Sequence, residues 1–383
     1  MPSDNASTPR AVSVHSAPGG KATAAGRLRR TSAGPADGLN SPRSTRPLLT
    51  RLVERSGFFH YSGLYALVIM VVVFAFWDAP YFWTLPTLKT VLVTSAIGGT
   101  VALGAVVPFA GNMLDLQFAN VAGFSLALMT WLSLNVHAND GLLALVTIGA
   151  GTLFGLVSGL IVSGLRVSSL IVTLGVGTLA QGAAYYLIQA KTVQADLSPW
   201  FTEIGRAQVG PIPVPVIALA VLAVLLHVWL EHTASGRTLR LVGDNADAAR
   251  MAGINVPKVE LLSLTFSSFV AGTAGVIWCA QIGFGNSSNG ARLLLPAISA
   301  ILLGATQFRH RINVPGTLLA VVLIQTAVQG MQLRAGGSAT WPSNLFAGTL
   351  LVLAICLVVW NGRRRVRLEQ REAALREAAV GGV

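Results

Sequence analysis

From Phe58 to Trp360 the chain is a succession of apolar runs, each long enough for the roughly 20 helical residues that cross a bilayer. Ten can be counted, near 59–78, 88–108, 119–136, 141–165, 168–189, 213–231, 259–282, 293–307, 314–333 and 342–361. In hydrocarbon every backbone N–H and C=O needs a partner within its own segment, so runs of this length fold as helices. A composition of 53% hydrophobic and 11% charged residues excludes an ordinary soluble domain. The expected fold is an all-α polytopic membrane protein with about ten transmembrane helices. The eighth run is short, and the second and third flank an unusually polar piece.

Orientation follows from the cations. With ten spans and the N-terminus inside, 22 of the 27 Lys and Arg residues fall on the inner side. The outer loops keep only Lys89, Lys191, Arg206, Arg292 and Arg334. Short loops alone lean the same way, seven to five. Both termini and the 236–258 loop are therefore expected in the cytoplasm. The formal charge of +12 largely reflects this bias. Because the cations sit in arms and loops beside spans, anionic membrane lipid is the expected partner and nucleic acid is not.

The chain divides into a basic arm (1–57), a membrane domain (58–361) and a tail (362–383). The arm is rich in Ser, Thr, Pro, Ala and Arg without apolar periodicity and reads as a disordered cytoplasmic extension. No apolar core follows its early basic residues until Phe58, so it is not a cleavable signal peptide. The tail opens with Arg363-Arg364-Arg365 and continues as an expected exposed helix. Cys279 and Cys356 fall inside expected spans, where thiols pack as small apolar groups.

Catalytic chemistry is missing from the sequence. It has no phosphate-binding Gly-x4-Gly-Lys-Ser/Thr loop, HExxH, paired CxxC or GxSxG. Ionisable residues within the apolar region reduce to Asp115 and His227, and His227 lies near a span end. A proton-relay transporter needs carboxylates at depth, so this scarcity counts against one.

Two polar segments stand out. The first, GRTLRLVGDNADAARMAGINVPK (Gly236–Lys258), carries its own helix signals. Asp244 or Asn245 can cap a first turn, Asp247 and Arg250 suit its two dipole ends, Gly253 offers a left-handed stop, and Pro257 blocks continuation. The implied helix, 246–252, has about seven residues and would not persist alone in water. It is either an ordered loop or a knob that docks on a partner. The second segment, Gly111–Asn120, contains Asn112, Asp115, Gln117 and Asn120 between two spans. It is either an interfacial turn or a broken segment lining a wet path, since irregular backbone at depth must be buried in protein or face water.

Small residues mark the spans: Gly149, Gly151, Gly155, Gly159 and Gly164 in the fourth, Gly175, Gly177 and Gly182 in the fifth, Gly272 and Gly275 in the seventh. They suit close helix packing in lipid. Span-embedded Thr173, Thr178, Gln181, Ser267, Ser268, Gln325 and Gln329 can bond neighbouring helices or line a polar path.

Three blocks carry a family resemblance: Gly151–Leu187, Gly236–Ile254 with its G-D-N-x-x-A-A-R-M-A-G-I core, and LPAISAILLGAT (Leu295–Thr306) followed by Pro315-Gly316-Thr317. Together and in order they resemble ribose-type ABC importer permeases, a family related to branched-chain amino acid permeases, over about 60–360. The resemblance implies that the 236–258 loop is the cytoplasmic segment seated on an ATPase subunit, with Gly243, Asn245, Ala249, Arg250 and Gly253 as coupling residues. Asn112, Asp115, Gln117, Asn120, Thr173, Gln181 and Ser268 are the candidate pathway residues.

It further implies an inner-membrane transport subunit that carries no cofactor, ATP and Mg²⁺ being held by the ATPase. A solute-binding protein outside and a second permease copy would complete the assembly, and the cargo would be a pentose, hexose or small polyol. Branched-chain amino acids or nucleosides are alternative cargoes. A stand-alone secondary transporter is the alternative class, and an intramembrane enzyme lacks a nucleophile–base set. The chain departs from the family at two places. Where members carry I-D-L-S-x-G, it reads Leu114-Asp115-Leu116-Gln117-Phe118-Ala119. Where members carry a glycine-rich turn, it reads Ala305-Thr306-Gln307-Phe308-Arg309-His310-Arg311. These departures bear on the substrate and the ATPase rather than on the fold.

Overall fold

A computed structural model describes residues 84–189, 191–307 and 311–334, with scattered positions in 68–82 and 341–356. Among the described residues, eight helices are long and apolar enough to cross a membrane. They are α1 (Leu85–Ala110), α2 (Phe118–Asn135), α3 (Asp140–Leu165), α4 (Ser169–Ile188), α6 (Val214–His232), α9 (Val256–Ile282), α10 (Asn289–Gln307) and α11 (Val314–Arg334). These are the second to ninth expected runs. The first and tenth runs, the arm and the tail lie outside the continuously described residues. The short eighth run begins earlier than its hydropathy suggests, at Asn289, and carries Pro296 within the helix.

The remaining elements gather at the two ends of the bundle. At one end lie β1 (Thr192–Gln194), α5 (Pro199–Arg206), the β2–β3 hairpin (Gln208–Val209 and Ile212–Pro213) and β4 (Phe284–Asn286). β1 and β4 pair antiparallel, Val193 opposite Gly285. Arg206 Nε donates to the carbonyl of Gln281 at 2.9 Å, placing a cation on the last turn of α9. At the other end, α7 (Ala234–Asp244) and α8 (Ala246–Met251) fill the 236–258 loop. Helix α7 was not legible in the polar sequence. Pro257 also plays a different part from the one expected: it occupies the first turn of α9, where a proline's missing N–H costs nothing, and so opens that helix.

Close packing centres on α3 against α9. A Cβ on Gly155 would lie 2.5 Å from the Leu264 carbonyl oxygen, and one on Gly159 3.0 Å from Leu261 backbone. The GxxxG step therefore sets backbone against backbone, the main route to tight helix association in lipid. Gly123 meets Gly290 in the same way between α2 and α10. By contrast, Gly149, Gly164, Gly175 and Gly182 face open space. Cys279 is buried as expected, whereas Cys356 is exposed.

Candidate functional site

The polar segment after α1 is a seven-residue irregular link, 111–117, that side chains of three helices hold. Pro108 sits in the last turn of α1, and Asn112 takes a left-handed φ of 58°, so the chain turns sharply out of the helix. Helix α4 then serves its backbone. The Leu114 N–H donates to Ser169 Oγ at 3.1 Å, the Leu116 N–H donates to Thr173 Oγ1 at 3.1 Å, and Thr173 Oγ1 donates to the Leu114 carbonyl at 3.1 Å.

Asp115 is wholly buried. Its carboxylate accepts from Ser267 Oγ of α9 at 2.6 Å and from the Gln117 N–H at 2.9 Å. A buried carboxylate is tolerated only with such partners. Gln117, also wholly buried, donates through Nε2 to Ser158 of α3 at 2.7 Å and to Ser268 of α9 at 3.3 Å. The expected pathway residues Asp115, Gln117, Thr173 and Ser268 thus form one interior network with Ser158 and Ser267. Asn112 is exposed, and Asn120 is half-buried with an unpaired Oδ1. Ser158 carried no signal of its own in the sequence; its place one residue before Gly159 of the GxxxG step was the available hint.

Gln181 belongs elsewhere. On α4, Thr173, Val176, Gly177, Ala180 and Ala184 are buried, while Gly175, Thr178, Gly182 and Tyr185 are exposed and Gln181 is half-exposed. Gln181 Nε2 donates to Tyr185 Oη at 3.5 Å. This outer stripe joins hydroxyl and amide groups with glycines that leave space above them. His227 is half-buried on α6, beside the ring of His232 at a centroid distance of 6.1 Å.

At the α7–α8 end, Asn245 resolves the choice of cap. Its Oδ1 accepts from the N–H groups of Asp247 and Ala248 at 3.0 and 2.9 Å, and Asn245 also ends α7. Arg250 pairs with Asp247 at 3.1 Å, and Gly253 takes the left-handed φ of +83° its position called for. Ala249 is buried with Val242 and Val256 in a small apolar cluster that binds α7, α8 and the start of α9 into one unit. Met251, 85% exposed, projects from it. Gly243 lies against α1: a Cβ there would come 2.6 Å from the Ala110 carbonyl oxygen. Arg240 pairs with Glu231 across the α6–α7 corner.

Arg309 and His310 lie outside the described residues, and Arg311 is exposed. Beside that turn Gly304 packs on the backbone of Gly316 and Thr317, and Asn313 Oδ1 accepts from the Gly316 N–H at 2.7 Å. The close approach of α10 and α11 therefore rests on Gly304 and Gly316, not on glycines within the turn.

A family model described as branched-chain amino acid transport system / permease component matches residues 87–355. The chain belongs to this family. Within it, the chain is 29% identical over 323 residues to the autoinducer 2 import system permease protein LsrC of Klebsiella pneumoniae, covering 82% of this chain and 90% of that protein. It is 25% identical over 314 residues to the ribose import permease protein RbsC of Escherichia coli K12, covering 80% and 95%. It is 27% identical over 266 residues to the autoinducer 2 import system permease protein LsrD of Photorhabdus laumondii, covering 67% and 78%. No solved structure matches the chain. The permease family and the eight membrane-length helices make this a multi-pass transport subunit of the bacterial inner membrane.

Proposed function

We propose that the chain is the permease subunit of an ATP-driven importer of a monosaccharide or related small polyol, working by alternating access as one of two copies. The observation that carries the ATP-driven reading is α8. It is a six-residue helix, capped by Asn245 at one end and closed by Gly253 at the other, with Arg250 and Met251 exposed. Beyond Ala249, which packs inward, its outer face makes no apolar contact within the cluster and suits a docking knob for a separate ATPase, which would hold ATP and Mg²⁺. The cation bias, 22 of 27 Lys and Arg on one side, supports placing α8 and both termini in the cytoplasm. A solute-binding protein would then meet the α5 and β1–β4 end.

The cargo reading is supported by the ribose and autoinducer 2 permeases among the relatives and by the outer stripe of α4. Thr178, Gln181 and Tyr185 place hydroxyl and amide groups beside Gly175 and Gly182, on a face that a second copy would enclose. The buried network of Asp115, Gln117, Thr173 and Ser268 supports a role behind the path wall rather than in direct contact with cargo, with Asn112 and Asn120 at its margins.

The test is reconstitution of the permease with its co-purifying ATPase and binding protein in liposomes. ATP-dependent accumulation of ribose or another monosaccharide, with leucine and uridine as competitors of no effect, is the expected result. Uptake driven by an ion gradient without ATP would identify a secondary transporter, and uptake of leucine or uridine alone would overturn the sugar assignment.

A further inference from the structure

We infer that the contact of Gly243 with Ala110–Gly111 is the point at which movement of the coupling unit reaches the buried polar network, making Gly243, Gly111 and Leu239 positioning residues for transport. This rests on the coupling role proposed for α8 and names its receiver. Three observations carry it. First, α7, α8 and the start of α9 share the Val242, Ala249 and Val256 cluster, and Asn245 caps both α7 and α8, so there is no slack between the knob and Gly243.

Second, the contact is backbone on backbone. A Cβ on Gly243 would lie 2.6 Å from the Ala110 carbonyl oxygen and 3.0 Å from the Gly111 carbonyl carbon. Leu239 closes the other side, 2.7 Å from where a Gly111 Cβ would stand. Between Gly243 and the Ala110–Gly111 backbone no side chain stands to give way, although Leu239 and Met113 flank Gly111, so a displacement of α7 is passed on to the end of α1. Third, Gly111 begins the irregular link itself. Beyond Asn112 that link is tied by Ser169 and Thr173 to α4, by Ser267 to α9 and by Ser158 to α3. It is non-helical backbone, with looser internal bonding than the helices around it, and every one of those helices has a polar hold on it. Movement entering at Gly111 is therefore distributed to α3, α4 and α9 together.

The test uses the permease–ATPase complex in lipid nanodiscs with Leu114→Cys as reporter. Leu114 is 43% exposed, and only its backbone takes part in the bonds to α4. Cys356→Ser removes the exposed native thiol and leaves the buried Cys279. A membrane-impermeant maleimide should label Leu114→Cys at a rate that changes severalfold when ATP–Mg²⁺ is added. With Gly243→Ala the ATPase should still co-purify while the ATP response is lost. Leu239→Ala, which removes bulk from a buried position instead of adding it, should weaken the response, and a monodisperse complex that still retains the ATPase shows that each variant has folded. A full response in either folded variant, or none in the parent reporter, overturns the inference. Failure of the parent permease to bind any ATPase would overturn the coupling reading itself and this inference with it.

Discussion

Asp115 is the residue on which the interior is organised. Replacing it with Leu would leave the Ser267 hydroxyl and the Gln117 N–H buried without their acceptor, at about 1–3 kcal/mol each. Asp115→Asn keeps one acceptor oxygen for the Gln117 N–H and turns an NH2 towards Ser267, whose hydroxyl can accept instead, so it should lose less of that stabilisation, about 1 kcal/mol. In detergent, Asp115→Leu should therefore unfold well below the parent temperature and Asp115→Asn close to it. Equal transitions for the two would show that the acceptor role is unimportant. The sequence showed Asp115 and Gln117 as outliers but left open whether they faced water. Their burial depends on Ser267 and Ser158, which lie 152 and 41 residues away from the groups they bond. Local spacing carries no trace of such partners.

At the scale of elements, the 236–258 loop divides what can be read from what cannot. Helix α8 was legible because cap, dipole and stop residues act within one or two turns, and Asn245, Arg250 and Gly253 each stand where those rules put them. Helix α7 was not, since its apolar face is only the few side chains Leu239 and Val242 that press on neighbouring elements. The span helices were legible to within a few residues, bilayer thickness setting their length, while α5 and the β1–β4 pair form through contacts remote in sequence. For α8 the test is Gly253→Val. Nothing lies within 4 Å of a Cβ at Gly253, so the cost is backbone strain at φ +83° alone, about 1–2 kcal/mol. Membrane insertion should be unaffected, while substrate-stimulated ATP hydrolysis of the assembled complex should fall. Hydrolysis at the parental rate would remove the coupling assignment from this turn.

For the molecule as a whole, the packing of α3 on α9 and the open stripe of α4 describe opposite ends of one requirement. Glycines facing α9 are filled by its backbone, whereas Gly175 and Gly182 face nothing within 4 Å. If a second copy encloses that stripe, Gly182→Cys in a Cys356→Ser background should form an intermolecular disulfide or accept a short bis-maleimide in native membranes. Ile171→Cys, on the same exposed side near the start of α4, serves as the companion probe. Monomeric bands for both under conditions that preserve uptake would place the second copy on another face.

The bond between Ser267 and Asp115 also has a consequence in time. The acid emerges from the ribosome 152 residues before the hydroxyl that donates to it. At roughly 5–20 residues per second, that interval is about 8–30 s. Once α1 and α2 are made the seventh run is still to come, so of the two donors to the carboxylate only the Gln117 N–H is yet in place. If burial of the carboxylate requires both donors, the link between α1 and α2 stays at the watery edge of the bilayer until α9 arrives. The expected outcome is a late settling step in biogenesis: nascent chains stalled before Ser267 should carry an Asp115 still open to water.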